Sequence, residues 1–372
     1  MMDLIIESAS NDILVDSDGR SYIDFQSGYG SVIVGHSNKA VVRALAEQAD
    51  KLWIAGKFRH EQLDQTHQLI ESFFNPDYSV AELYSTGMEA LEFSLRTAAV
   101  QTGKNAFAGF TNSMHGKSLA TSSLSWDNDF SIPNFHRMPF VDSLPESEII
   151  AQIEELFQSG TIAAFFVEPI QGSSAGCQAS PDFYRSLIAL CTAHNVISVV
   201  DEVLTGFFRA GYASFSLGNN IFPDVIVFGK SMGNGFPVSA VLLKNSIEVV
   251  PAMLPKSTYS ANPLACAVIC ATLDEITRLH VDKKVNAIQA LVLEHITPLN
   301  EEGYSLRGSG ALWIIEPPAG VSAYRLGETI LQSGVVTSYT DRTIRLLPTA
   351  TIIEENLISG LEKVYESCLA QL

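Results

Sequence analysis

One lysine constrains this chain more than any other residue, because it stands where an apolar run changes into a turn. Residues Val225 to Phe228 are all apolar, and Gly-Lys230-Ser-Met-Gly-Asn-Gly follows directly. A strand that delivers an ammonium into such a turn desolvates it partly, which lowers its pKa and frees an amine able to form a Schiff base. Lysines beside glycine turns are also common on protein surfaces, so Lys230 alone does not decide the function.

A second apolar run, Val196 to Val200, ends in the carboxylate of Asp201. A strand end of this kind can hold an anchoring group for a cofactor. Pyridoxal phosphate (PLP) requires a lysine that forms an imine with it and a carboxylate that keeps its pyridine nitrogen protonated. Asp201 and Lys230, at the ends of two strands, can supply both groups.

The sequence around these two residues resembles one enzyme family. Asp-Glu-Val-x-Thr-Gly-Phe at Asp201 and Gly-Lys-Ser-Met-Gly-Asn-Gly-Phe-Pro around Lys230 are similar to motifs of the class III (omega) aminotransferases of PLP fold type I. Ornithine, acetylornithine and 4-aminobutyrate aminotransferases belong to that family, as does glutamate-semialdehyde aminomutase. The similarity recurs in order from about Asp16 to Leu347, so it covers most of the chain.

The resemblance implies an α/β fold with a large domain, whose sheet is mostly parallel and of the seven-stranded type, and a smaller α/β domain built from both termini. We expect residues 1–45 to join the small domain, residues 46–280 to form the large PLP-binding domain, and residues 281–372 to form the C-terminal small domain. The alternation of apolar and polar residues from 13 to 25, around Asp18-Gly19, predicts an N-terminal β-hairpin. A helix is predicted from about Lys39 to Leu52.

A candidate phosphate site lies at Ser85-Thr86-Gly87-Met88-Glu89, where a glycine turn opens a helix. Free N–H groups and the positive end of the helix dipole suit a phosphate dianion. The family has Ser/Thr-Gly-Ser/Thr-Glu-Ala here, and Met88 stands where a hydroxyl residue is usual. We therefore expect the N–H groups of Gly87 and Met88 to carry the phosphate.

The resemblance also implies which residues surround the cofactor ring. Met114-His115-Gly-Lys is similar to the family's Phe/Tyr-His-Gly-Arg, whose aromatic ring stacks on the cofactor. Met114, with its polarizable thioether, and Val203 would cover the two faces of the ring. His115 would lie at the cofactor, more as a residue that orients this turn than as a proton relay. Glu168, which follows a buried strand, is also expected at the cofactor.

Four residues are candidates for substrate binding. In ornithine aminotransferase-like relatives an aromatic residue at the place of Tyr29 lines the substrate pocket, although a turn tyrosine packed on the hairpin fits the sequence equally well. Arg345 matches the family's arginine for the substrate carboxylate. Lys117 replaces the usual arginine and lacks its bidentate fork. Ser173 stands where ornithine and 4-aminobutyrate aminotransferases carry a glutamate that masks an arginine during one half-reaction.

Thr258 points to a partner subunit. Ser-Thr258-Tyr-Ser-Ala-Asn-Pro resembles the family segment whose threonine reaches the phosphate of the neighbouring subunit's cofactor. The resemblance therefore implies a homodimer with cofactor sites at the interface. A helix-capping hydroxyl before Pro263 is the alternative role for Thr258.

Charge and composition narrow the partners further. The net charge of −18 disfavours nucleic acid and acidic membrane surfaces as partners. No uninterrupted apolar run approaches 18 residues and the N-terminus has no basic n-region, so we expect neither a membrane span nor a secretory signal. The five cysteines fit buried thiols in a reducing, cytoplasmic compartment better than disulfides or a metal site.

These features together predict a PLP-dependent aminotransferase with Lys230 and Asp201 as catalytic residues. It would move an amino group from a donor such as glutamate or alanine to an aldehyde or keto acceptor, at a terminal (omega) position of a specialised biosynthetic substrate. An aminomutase of the glutamate-semialdehyde type, or a PLP decarboxylase or racemase of the same fold, are alternatives. A non-catalytic PLP-binding protein is disfavoured, because both Lys230 and Asp201 are present.

Overall fold

The structure is a computed structural model, and it describes residues 4–56, 58–126, 130–250 and 253–372. Strands and helices alternate from Tyr78 to Lys244. The strands are β1 (Ile6–Ser10), β2 (Ile13–Asp16), β3 (Ser21–Asp24), β4 (Tyr78–Tyr84), β5 (Ala106–Phe110), β6 (Phe135–Met138), β7 (Ile162–Val167), β8 (Ile197–Asp201), β9 (Val225–Gly229), β10 (Ser239–Lys244), β11 (Ser305–Ser309), β12 (Leu312–Glu316), β13 (Val335–Val336), β14 (Ser338–Tyr339) and β15 (Ile344–Leu346). The helices are α1 (Ser27–Gly30), α2 (Lys39–Ala49), α3 (Glu61–Glu71), α4 (Gly87–Thr102), α5 (Leu119–Ser123), α6 (Glu146–Phe157), α7 (Pro181–Ala193), α8 (Phe215–Gly218), α9 (Pro263–Arg278), α10 (Val281–Ile296), α11 (Ala323–Gln332) and α12 (Glu354–Leu369), and two 3₁₀ helices span Lys230–Gly233 and Thr297–Glu302.

The central sheet has seven strands in the order β4-β10-β9-β8-β7-β5-β6. Only β10 runs antiparallel to its neighbours, and the other adjacent pairs are parallel. Strands β7, β8 and β9 are buried along their whole length, as expected for parallel strands covered on both faces. The predicted fold class is confirmed.

Successive residues of β9 show how the two faces are covered. Ile226 and Phe228 belong to the same core cluster as Ile269 of α9, whereas Val225 and Val227 pack in a cluster on the other face together with residues of α4. Side chains alternate between the two faces of a strand, so both faces of β9 require apolar residues. This explains why the run before Lys230 shows no polar alternation.

The strand directions bring the candidate site together. The carboxyl ends of parallel strands meet at one edge of a sheet, and the segments that follow β4, β5, β7, β8 and β9 therefore begin at the same edge. These segments start with the turn into α4, the Met114 loop, Glu168, Asp201 and Lys230.

Two smaller four-stranded sheets flank this arrangement. In the first, β13 from the C-terminal part of the chain pairs in parallel with β3, so both ends of the chain share one sheet. The predicted hairpin is present as the antiparallel pair of β2 and β3. The second sheet, β11-β12-β15-β14, carries Arg345 on β15. The predicted domain boundaries stay a prediction.

Helix α2 ends earlier than predicted, at Ala49 instead of Leu52. The indole Nε1 of Trp53 lies 2.8 Å from the carbonyl oxygen of Ala49 and donates to it. This side-chain bond satisfies one of the carbonyl groups that a helix leaves open at its C-terminal end. In the part of the chain described here, no helix has the length and apolar character needed to cross a membrane.

Candidate active site

Lys230 directly follows β9 and is the first residue of a 3₁₀ turn. Its φ of +40° lies in the left-handed region, which costs a non-glycine residue roughly 1–2 kcal/mol and is often found at functional sites. Within the described ranges its amine donates to no acceptor, and it lines two cavities. Burial lowers the pKa of Lys230, against the opposing effect of the charges on Asp201 and Glu168. Burial thus shifts the protonation equilibrium of Lys230 toward the neutral amine.

Asp201 is buried at the end of β8 and is held by two neighbours. Its Oδ2 lies 2.9 Å from Nδ1 of the buried His115, and its Oδ1 accepts the N–H of Val203 at 3.1 Å. A carboxylate can only accept, so Nδ1 of His115 carries the hydrogen and donates it. His115 therefore orients the Asp201 carboxylate. Its buried Nε2 has no partner among the described residues.

Glu168 follows β7 and fixes the loop that carries Met114. Its Oε2 accepts the backbone N–H of Met114 at 2.7 Å. Burial, and secondly the charge of Asp201, raise the pKa of Glu168 to about 7, with His115 and Lys230 acting in the opposite direction. The Glu168 carboxyl therefore titrates near neutral pH.

The N-terminus of α4 carries backbone N–H groups that are not used in hydrogen bonds among the described residues. The hydroxyl of Thr86 accepts the N–H of Glu89 at 3.1 Å, and the Glu89 carboxylate accepts the N–H of Ser85 at 3.1 Å. The N–H groups of Gly87 and Met88 donate to no acceptor in the part of the chain that the structure describes. A Cβ added to Gly87 would lie only 2.7 Å from a methyl carbon of Val203. The helix start is thus closely packed, and its free N–H groups are able to donate to an anion.

Two cavities meet at Lys230. The first, of about 360 Å³, is lined by Gly87, Met88 and His115 among others, and the second, of about 340 Å³, includes Glu168 in its wall. Their common walls are formed by Met114, Asp201, Val203 and Lys230. Both volumes lie in the range of small-molecule sites. The lysine therefore lines both cavities and borders each of them.

The four predicted substrate residues all line the second cavity: Tyr29, Lys117, Ser173 and Arg345. Tyr29 is 60% exposed. Arg345 donates to Ser338 Oγ at 2.7 Å and to Gly172 O at 3.3 Å, and within the described ranges no carboxylate forms an ion pair with it. Lys117 is exposed at the rim.

Thr258 is the predicted site residue that lies apart from the others. It is exposed and lines neither cavity. The cap of α9 is Asn262, whose side chain accepts the N–H of Ala265 at 2.9 Å, so the helix-capping alternative for Thr258 is wrong. Its predicted role at a neighbouring subunit's cofactor stays a prediction.

Two buried charged residues near the site were not predicted, namely Glu202 and Arg209. Glu202 accepts hydrogen bonds from Ser214 and Ser216 and from the N–H of Phe215, and so closes the loop that follows Asp201. The available signal in the sequence was the presence of two charges inside the largely apolar segment after β8.

Comparison with known proteins decides the family. The family model for class-III aminotransferases matches residues 1–367. The chain belongs to the class III aminotransferases. The mitochondrial ornithine aminotransferase of Rattus norvegicus is 29% identical over 371 residues, covering 95% of this chain and 84% of that protein.

Solved structures agree with this assignment. The acetylornithine aminotransferase of Elizabethkingia anophelis is 30% identical, with a TM-score of 0.83 over 99% of this aminotransferase and 94% of that chain. A PLP-bound amine transaminase from an uncultivated Pseudomonas species has the same fold, with a TM-score of 0.89, 23% identity and coverage of 98% and 95% of the two chains.

Enzymes of this class use PLP, and the residues of this aminotransferase fit that cofactor. Lys230 offers an amine with no protein partner among the described residues, Asp201 offers a buried carboxylate, and Gly87 and Met88 offer free N–H groups at a helix start. These are the groups needed for the aldehyde, the ring nitrogen and the phosphate of PLP respectively.

Proposed function

We propose that this class III aminotransferase moves an amino group from a donor such as glutamate or alanine to an aldehyde or keto group at a terminal position of a second substrate. The observation that carries the proposal is the second cavity. Apart from Lys230, the basic side chains in its described lining are the half-buried Arg345 and the exposed Lys117. One carboxylate would be gripped firmly and a second only weakly.

Lys230 and Asp201 are the proposed catalytic residues. When bound, PLP supplies an electron sink for the electron pair left behind as the substrate carbon loses its proton. Lys230 would hold the aldehyde carbon of PLP through Nζ and would become free for proton transfer when the donor binds. Nζ of the freed lysine would take the proton from the carbon that carries the amino group, and the lowering of its pKa by burial favours this role.

The residues around Lys230 hold the cofactor in place. Asp201 keeps the proton on the ring nitrogen, and His115 fixes the carboxylate in that direction. Met114 and Val203, which line both cavities, cover the two faces of the ring. Glu168 secures the Met114 backbone beside the cofactor.

Three further residues set the choice of substrate. Arg345 takes the donor carboxylate. Ser173 supplies no charge that could pair with that arginine, so Arg345 remains available in both half-reactions. Tyr29, which lines the same cavity, covers the donor. An acceptor with a less anionic, more apolar skeleton suits the remaining part of the cavity.

We also propose a cytoplasmic homodimer. Thr258 is exposed and the adjacent Tyr259 is 59% exposed, as a residue that reaches a neighbouring subunit requires. Leu119, which follows Lys117 by two residues in the sequence, is likewise 59% exposed. All five cysteines are free thiols, which suits a reducing compartment.

A donor and acceptor screen tests the function. Glutamate and alanine are each incubated with simple aldehydes and ketones, and the keto acid and the aminated product are measured together. We expect both products in equal amounts. Product formation without any added donor would favour an aminomutase, and release of CO₂ or inversion of the donor without transfer would favour a decarboxylase or a racemase.

A further inference from the structure

The arginine missed by sequence reasoning, Arg209, connects the segments that supply both walls of the second cavity. Its side chain is fully buried. Nη1 donates to the carbonyl oxygens of Pro348 at 2.5 Å and of Ala311 at 3.2 Å, and Nη2 donates to Ser27 Oγ at 3.3 Å and to Gly30 O at 3.2 Å. Four acceptors from three distant parts of the chain thus surround one planar guanidinium.

On one side, Arg209 holds the turn that presents Tyr29. Four consecutive residues of this turn, Ser27 to Gly30, have φ values of +40°, +59°, +55° and +82°. L-amino acids avoid this left-handed region, so such a turn persists only where its surroundings hold it. The contacts of Arg209 with Ser27 and Gly30 bracket the turn at its first and last residues.

On the other side, Arg209 holds the segment that presents Arg345. Pro348, which accepts from Nη1, follows strand β15 by two residues. Between them lies Leu347, whose N–H donates to Phe25 O at 2.7 Å and whose carbonyl oxygen accepts from Ser27 Oγ at 2.5 Å. The two walls are therefore joined directly as well as through Arg209.

The base of the connection is anchored next to the cofactor site. Arg209 lies in the loop that follows Asp201, and its own carbonyl oxygen accepts the N–H of Ala311 at 2.8 Å. Glu202, directly after Asp201, closes the same loop through Ser214 and Ser216. These contacts thus fix the position of the guanidinium relative to the end of β8, which carries Asp201.

We infer that Arg209 is a positioning residue that sets the distance between Tyr29 and Arg345 across the substrate cavity. The inference rests on the proposed function, because it takes these two residues as the substrate-binding walls. Lysine cannot replace this arginine, since an ammonium has three donors on one nitrogen and lacks the planar fork that reaches all four acceptors.

Arg209→Lys, Ser27→Ala and the control Arg185→Lys test this role in the PLP-loaded enzyme. Arg185 also donates to a backbone carbonyl, that of Asn219 at 2.8 Å, but it lies on the surface and lines neither cavity. Three quantities are measured: the Kd of glutarate, an unreactive dicarboxylate, by calorimetry; kcat and KM for alanine and for a primary monoamine without a carboxylate; and the affinity for PLP.

We expect Arg209→Lys to weaken glutarate binding and to raise the KM for alanine by about tenfold or more, the effect of one lost charge-assisted hydrogen bond. Ser27→Ala should change both in the same direction by a smaller factor. PLP affinity and the kinetics of the monoamine should stay close to wild type in both variants. Arg185→Lys should leave all three quantities unchanged.

Unchanged glutarate binding in Arg209→Lys would overturn the inference, and so would a parallel loss of PLP, monoamine and alanine activity, which a merely structural arginine predicts. If Arg209→Lys does not fold, Ser27→Ala decides by the same readings. A wild-type enzyme that binds glutarate in an Arg209-dependent way but transfers no amino group to any acceptor would contradict the proposed function and leave the positioning role intact. Failure of wild type to bind glutarate would overturn the inference.

Discussion

At the scale of single residues, Lys230 differs from an ordinary surface lysine in three ways. Its backbone is left-handed, its amine has no acceptor among the described residues, and burial lowers its pKa. The position of this lysine could be predicted from the sequence, because it ends an apolar run. Its backbone conformation could not, since φ depends on how the following 3₁₀ turn packs in the finished fold.

Replacing Lys230 by alanine should leave a folded protein that still binds PLP through the Gly87 and Met88 N–H groups. Turnover should fall by roughly 10²–10⁴-fold, because the variant loses its proton-transferring group. Steady-state kcat with the best donor and acceptor pair measures the effect. Lys244→Ala is the matched control, since Lys244 also ends a strand of the central sheet. Residual activity above about a hundredth of wild type would remove Lys230 from its proposed role.

Glu168 should make the stability of the cofactor-free protein depend on pH. Its pKa is about 7 in the folded chain against an ordinary value of 4.5 for the free group, so the folded state binds the proton more tightly. This contribution is fully present below pH 4.5 and is lost as the pH rises through 7. One pKa unit corresponds to about 1.4 kcal/mol, so a few kcal/mol are involved.

Denaturant unfolding at pH 5 and pH 8 measures this effect, with Glu168→Gln as the comparison. Wild type should lose stability relative to the glutamine variant between the two pH values, since glutamine keeps the hydrogen-bonding shape without a titrating proton. Parallel stability curves for the two proteins would show that Glu168 titrates outside this range.

At the scale of helices and strands, the sequence predicted which segments end at the site and could not predict which segments touch. Asp201 and Glu168 each follow an apolar run that is recognisable as a buried strand. The hydrogen bond between His115 and Asp201 joins the loop that follows β5 to the end of β8, and β7 separates these two strands in the sheet. Strand order is set by long-range packing, and a local pattern carries no information about it.

Arg209 was missed for the same reason. A buried charge is expected only where acceptors surround it, and the acceptors of Arg209 come from Ser27, Gly30, Ala311 and Pro348. None of these is near it in the sequence. The segment therefore resembled an ordinary loop until the fold brought the acceptors together.

The loop from Gly172 to Gly176 should control the choice of donor. It lies across the sheet that carries Arg345, which donates to Gly172 O at 3.3 Å, while Arg307 donates to Ala175 O at 3.1 Å. Ser173→Glu would place a carboxylate where it can pair with Arg345. We expect the KM for glutamate to rise by about fivefold, because such a pair is worth about 1 kcal/mol.

Ser173→Gln, which has the same shape without the charge, serves as the control and should change this KM little. The same assays compare ornithine, acetylornithine and 4-aminobutyrate with simple aldehyde and ketone acceptors. If wild type already uses ornithine or acetylornithine with a kcat/KM of about 10⁴ M⁻¹s⁻¹ or more, the interpretation of Ser173 and Lys117 is wrong.

At the scale of the whole molecule, we expect a homodimer in which Thr258 of one subunit completes the phosphate site of the other. Interfaces of this obligate kind usually bury on the order of 2,000 Å² or more. Thr258→Ala should weaken PLP affinity while the protein stays dimeric, because one exposed hydroxyl contributes little to so large an interface. Analytical ultracentrifugation at the assay concentration, combined with PLP titration, measures both effects. An active monomer would refute the dimer.

The proposed function is amino-group transfer with Lys230 as the proton-transferring residue. It is tested most directly by a half-reaction at single turnover. The PLP-loaded protein is mixed with an excess of glutamate or alanine and no acceptor, and the keto acid formed is counted per subunit. We predict one equivalent of keto acid per subunit and no further product until an acceptor is added. Addition of one equivalent of an aldehyde or ketone per subunit should then give one equivalent of aminated acceptor and a second equivalent of keto acid. Formation of CO₂ or of the inverted amino acid in place of the keto acid would contradict the proposed function, and so would keto acid formed at the wild-type rate by Lys230→Ala.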